Sequence, residues 1–147
     1  MSDGGVRTEP GERIFPARRS FPGQRSFHAP LPAAAHGMRF HHIGIPTRDR
    51  RPGEHLLERI KVWASGFGAS EFGIEWLRFE PDSPIPQLIQ TVPHVAFEVD
   101  DLDLALVDRN VIYGPFVPFD GVRCAMVEEN GAPVEMMQFE RSREPKS

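Results

Sequence analysis

Between residues 38 and 140 apolar and polar positions alternate in short bursts, each closed by Pro, Gly or Asn. In Phe40-His41-His42-Ile43-Gly44-Ile45, Ile43 and Ile45 fall on one face of an extended segment and His42 and Gly44 on the other, because successive strand side chains point to opposite sides. Pro46 and Thr47 close it. Pro52 to Arg59 starts like a helix, with Pro, Gly and Glu ahead of two leucines, and predicts a short one. Ile60 to Ser65 and Gly73 to Glu80, rich in β-branched and aromatic residues, predict two more strands. The proline-broken stretch Asp82 to Gln90 reads as a connection.

A new strand opens at Pro93 and runs from His94 to Val99. Asp100 or Asp101 then caps a predicted helix with an acidic first turn and an apolar stripe of Leu102, Ala105 and Leu106. Strands are predicted over Val111 to Val117, Val122 to Glu128 and Pro133 to Glu140. Between the last two, Asn130-Gly131 marks a hairpin whose turn needs positive φ at both central residues. The order of this half is β-α-β-β-β.

The halves repeat one another. His42-Ile43-Gly44-Ile45 matches His94-Val95-Ala96-Phe97, and Ile74-Glu75-Trp76-Leu77-Arg78-Phe79-Glu80 matches Val134-Glu135-Met136-Met137-Gln138-Phe139-Glu140. The histidines lie 52 positions apart and the glutamates 60, so the first half is eight residues shorter between its shared motifs, room enough to have lost a helix. Each histidine shares a face with a small residue two positions on, Gly44 or Ala96. Glu75 shares one with Leu77 and Phe79, and Glu135 with Met137 and Phe139. Polar groups thus point where apolar ones would otherwise pack, and a charge buried without a partner is costly. Two imidazoles and two carboxylates converging from four strands would satisfy one another through a divalent cation that accepts N and O ligands: Zn, Mn, Co, Ni or Fe.

With HHIGI opening the first half, PHVAFEVDD the second, and IEWLRFE and PVEMMQFE closing them, the chain resembles the vicinal oxygen chelate superfamily, which includes glyoxalase I and methylmalonyl-CoA epimerase. The resemblance covers about 100 residues. It implies an α+β fold of two βαβββ modules, the first truncated (38–80) and the second at 92–140, forming a curved, partly open barrel-like sheet around a central cavity. It implies metal ligation by His42, Glu75, His94 and Glu135. The activity it implies is that of an isomerase or lyase stabilising an enolate or enediolate of a small vicinal-oxygen substrate, with Glu135 by preference, or Glu75, shuttling the proton. A metal-free binding or sequestration module of the same fold, its concavity lined by Leu77, Phe79, Met137 and Phe139, is the alternative. Oxygenase chemistry would want two histidines and one carboxylate on Fe²⁺, so a second carboxylate counts against it.

Other candidates carry less chemistry. His41 has the opposite parity to His42 and is expected to pack or face solvent, His28, His36 and His55 to lie on the surface, and Cys124 to be a small core residue. Trp76 and Met136 belong to the sheet's packing face. Arg123 and Tyr113 are the candidates for orienting an anionic substrate. No Ser, His and acid arrangement of a hydrolase and no Gly-rich phosphate loop is present.

Charge separates the segments. Met1 to Gly37 hold five arginines against Asp3, Glu9 and Glu12, a net of +2 that leaves −6 for the rest of a chain whose total is −4. This Pro-, Gly-, Ser- and Arg-rich stretch has no apolar period and is expected to be a disordered tail (1–37), and 141–147 is expected to be a C-terminal tail. An acidic folded part argues against nucleic acid or anionic membrane as partners. A small-molecule substrate or ligand and a second copy of the chain, as a homodimer, are the partners expected. The lack of a long apolar run and the single cysteine fit a cytoplasmic protein.

Overall fold

The structure is a computed structural model and describes residues 37–141. Of the tails predicted at 1–37 and 141–147, residues 1–36 and 142–147 lie outside the described residues. Eight strands form one mixed sheet: β1 (Arg39–Pro46), β2 (His55–Leu57), β3 (Val62–Ser65), β4 (Ile74–Phe79), β5 (His94–Glu98), β6 (Asn110–Phe116), β7 (Val122–Glu129) and β8 (Ala132–Phe139). Two short α-helices, α1 (Gln87–Thr91) and α2 (Leu102–Ala105), and a 3-10 turn at Phe67–Ala69 join them. Among the described residues no helix is long and apolar enough to cross a membrane.

The sheet order β2-β3-β4-β1-β5-β8-β7-β6 contains the repeat. In each half the first strand pairs parallel with the last, β1 with β4 and β5 with β8. The halves join through the antiparallel pair β1 and β5. The outcome is a curled half-barrel with a concave and a convex face.

On the convex side of the second half, α2 lays Leu102 over Ala125, Val127 and Met136 in one buried cluster. Asp101 caps this helix, its carboxylate accepting from the Leu104 N–H, as its place before an acidic turn predicts. The β7–β8 hairpin turns on Asn130 at φ 52° and Gly131 at φ 79°, the two positive values the Asn-Gly pair requires.

The first half departs from its prediction. Pro52 to Arg59 forms no helix: the chain turns at Pro52-Gly53 and enters the edge strand β2. Gly53 at φ 73° and Lys61 at φ 54° put left-handed residues at either end, leaving too little chain for a stable helix, while β3 offers a free edge for pairing. The convex face that a helix would cover is shielded by long side chains. The Arg51 guanidinium lies 4.3 Å from the centre of the Trp76 ring, and Arg78 lies 5.2 Å from that of Trp63 while pairing with Glu54 at 2.5 Å. A second difference is α1, which forms in the expected connection because Ile85 and Ile89, four residues apart, bury against the first half's core.

Candidate functional site

Strand register explains how the repeat builds a site on the concave face. In the sheet Gly44 lies between Glu75 and His94, and Ala96 lies between Glu135 and His42. Each carboxylate is therefore two strands from the imidazole across from it, about 9 to 10 Å at the backbone, with a small residue between. Over Ala96 the side chains lean together until His42 Nε2 stands 3.4 Å from Glu135 Oε2. His94 Nε2 joins them, 3.1 Å from Glu135 Oε2 and 3.3 Å from His42 Nε2. All three residues are buried.

Over Gly44 the arrangement differs. The His94 ring reclines on the glycine so closely that a Cβ there would run into Cε1 and come within 2.5 Å of Nε2 and 2.7 Å of Nδ1. The ring thus lies over Gly44, the strand neighbour of Glu75. Glu75 lines the same cavity, but the group of mutually close donor atoms among the described residues consists of His42, His94 and Glu135. Three of the four residues expected to converge do so.

His41, expected to pack or face solvent, is a site residue. Pairing of β1 with β5 slips between Phe40 and His42, so that His41 is the extra residue of a bulge and strand alternation no longer fixes its direction. Its ring stacks on Phe67 at 4.8 Å and Phe139 at 5.4 Å, and its Nδ1 lies 2.8 Å from His42 Nδ1. That contact holds the back of the His42 ring. A proton on His42 Nδ1 donated to His41 would leave Nε2 free to ligate a cation, whereas without a cation a proton on Nε2 lets the ring donate to Glu135. The adjacent histidines are visible in the sequence, but nothing there announces the bulge.

Electrostatics follow this packing. Burial alone would lower the His42 pKa, yet the hydrogen bond and charge of Glu135, with Glu75 beyond, outweigh it and raise the pKa above the ordinary imidazole value. Burial would likewise push Glu135 up, but hydrogen bonds from His42 and His94 hold its carboxylate well below the usual range. Glu75, with no side-chain hydrogen bond among the described residues, is raised, chiefly by burial. His41 is lowered by burial and by its neighbour His42. The Cys124 thiol, buried beside Glu135, is pushed up and stays neutral, a core residue as expected.

The cluster fits a divalent cation. Ligand atoms about 2.1 Å from one ion stand about 3.0 Å apart at octahedral angles and about 3.4 Å apart at tetrahedral ones. Separations of 3.1, 3.3 and 3.4 Å are those of one coordination shell. Among the described residues buried His94 Nδ1 has no hydrogen-bond partner, so the ring is positioned by its seat on Gly44 and the contacts of its Nε2.

Around the cluster opens a cavity of about 570 Å³, within the range of small-molecule sites. Leu77, Phe79, Met137 and Phe139 line it, as strand parity predicts. His55, expected on the surface, is exposed but contributes to the lining from β2. Arg123 and Tyr113 do not line it: Arg123 pairs with Asp103 at 3.1 Å and Tyr113 packs on Phe116.

No family model and no curated protein matches the sequence. Similar solved structures include the following two. One is a hypothetical protein of Bacillus halodurans C-125, with a TM-score of 0.51 and 19% identity over 74% of this chain and 99% of that one. The other is methylmalonyl-CoA epimerase of Mycobacterium tuberculosis, with a TM-score of 0.50 and 15% identity over 69% of this chain and 88% of that one. The likeness is one of fold: this chain shares the fold of these two proteins, and its sheet has the paired modules that the sequence resemblance implied.

Proposed function

We propose that this protein is a metal-dependent isomerase or lyase for a small molecule with two neighbouring oxygens, in which His42, His94 and Glu135 hold a divalent cation and Glu75 moves the substrate proton. The observation that carries the reading is the meeting of two imidazoles and a carboxylate at coordination-shell spacing on the floor of a cavity. Bound there, the cation supplies Lewis-acid stabilisation of the negative charge that grows on a carbonyl oxygen as the neighbouring C–H proton leaves. Glu135 is the weaker base of the two glutamates, because two imidazoles hold its charge. Glu75, raised by burial and free of such bonds, is better suited to accept a proton near neutral pH and return it.

Two measurements test this. Elemental analysis of protein purified without chelator or nickel resin is expected to find a divalent metal in wild type and little in His94→Ala; equal content in both would remove the metal from the reading. Exchange of the C–H proton of a simple α-hydroxyketone in D2O, followed by NMR, is expected to fall by about 10² or more in Glu75→Gln with metal content unchanged.

Because the group that forms holds two histidines and one carboxylate, iron-dependent oxygenase chemistry is the second reading. Oxygen uptake by Fe²⁺-loaded protein in the presence of an aromatic diol separates the two. Protein that carries no metal, and whose melting temperature a chelator leaves unmoved, would instead be a binding module of this fold.

A further inference from the structure

The cavity joins two kinds of chemistry. Its floor is the imidazole and carboxylate group, whereas its walls are hydrocarbon. Ile60, Val62, Leu77, Ile85, Ile89 and Met126 form one buried cluster, and each of them also lines the cavity. The core of the first half and the wall of the site are thus the same side chains. Phe67 and Phe119, partly exposed, line it as well.

Among the described residues no lysine or arginine lines the cavity. Nearby guanidinium groups are committed elsewhere: Arg78 to Glu54, Arg59 to Asp120, and Arg51 to the face of Trp76. The two carboxyl groups that line it, Glu75 and Glu135, offer an anion no countercharge. A carboxylate or phosphate held against these walls, away from the floor, would lose its hydration with no Lys or Arg among the described lining residues to replace it.

We propose that the molecule this site takes is neutral and apolar over its body, ring-bearing or branched, with polar oxygens confined to the end that reaches His42, His94 and Glu135. This names the substrate class for the metal-dependent reading above and rests on that reading for the oxygen-bearing end alone. The apolar body is selected by the walls, whatever occupies the floor.

A matched pair of probes tests it: benzoin, a neutral α-hydroxyketone with two phenyl rings, and benzoin carrying a carboxylate at the para position of one ring. Affinities would be measured by calorimetry, with ligand-observed NMR in support, on full-length protein as purified and after chelator treatment. Benzoin is expected to bind at least about tenfold more tightly than its carboxylate, and the ratio to survive chelation. Phe119→Arg, which sets a cation in the lining at a partly exposed position, is expected to shrink the ratio at least about threefold. Equal or tighter binding of the carboxylate, no binding of either probe, or a ratio unmoved by Phe119→Arg would overturn the proposal. A neutral preference in protein that elemental analysis shows to be metal-free removes the metal reading and keeps the apolar ligand; metal-loaded protein without the preference does the reverse.

Discussion

Gly44→Ala is the sharpest probe of how this site is held. The added methyl would stand 2.5 Å from His94 Nε2, and ordinary van der Waals contact begins near 3.4 Å, so Nε2 must retreat by about 0.9 Å or the strand must move. Metal-ligand distances tolerate about 0.2 Å, and functional constellations about 0.5 Å. The displacement therefore takes His94 out of ligating position, and among the described residues its Nδ1 has no hydrogen-bond partner to hold the ring in place. Metal affinity, read by competition with a chromophoric chelator, is expected to fall by at least 10- to 100-fold, the loss typical when a ligand is misoriented. Overpacking should also cost about 1–3 kcal/mol in the metal-free protein, seen in chemical denaturation. Gly68→Ala is the matched control, since a Cβ there meets nothing within 4 Å, and it should leave both quantities unchanged. A Gly44→Ala protein that binds metal within twofold of wild type would refute the argument that this glycine seats the ligand.

Three further outcomes follow from other parts of the fold. In chelator-treated protein the lowered Glu135 pKa adds stability above the unfolded carboxyl value of about 4.3, lost as pH falls through the folded value, and the raised His42 pKa adds stability below about 6.5, lost as pH rises through its folded value. The melting-temperature difference between wild type and Glu135→Gln should hence peak between about pH 4.3 and 6.5 and shrink on both sides; a difference that keeps growing with pH contradicts the pairing. Gly131→Ala, at φ 79° in open space, should cost about 1–2 kcal/mol from backbone strain alone, measured by denaturant titration, with metal content untouched. Leu102→Ala removes the fully buried anchor of α2 on the convex face and should cost about 2–5 kcal/mol by the same measurement, again without loss of metal.

The pattern of residues by itself determined the strands of the second half, the cap at Asp101, the Asn130-Gly131 turn and the internal repeat, because alternation, capping and turn chemistry are local properties of the chain. It also placed His42, His94, Glu75 and Glu135 on one face. Where tertiary pairing competes with local preference, the sequence was silent or misleading. Pro52 to Arg59 carries a helix start but was captured as an edge strand by β3, and Ile85 with Ile89 made a helix of an expected loop because a core lay within reach. The site divides the same way. Residue type and parity supplied the donors, whereas the bulge that turns His41 toward His42 and the seating of His94 on Gly44, the strand neighbour of Glu75, are contacts between strands distant in sequence. Periodicity fixes which side of a sheet a residue faces; only the packed sheet decides how far its side chain reaches, and so which of four candidates become neighbours.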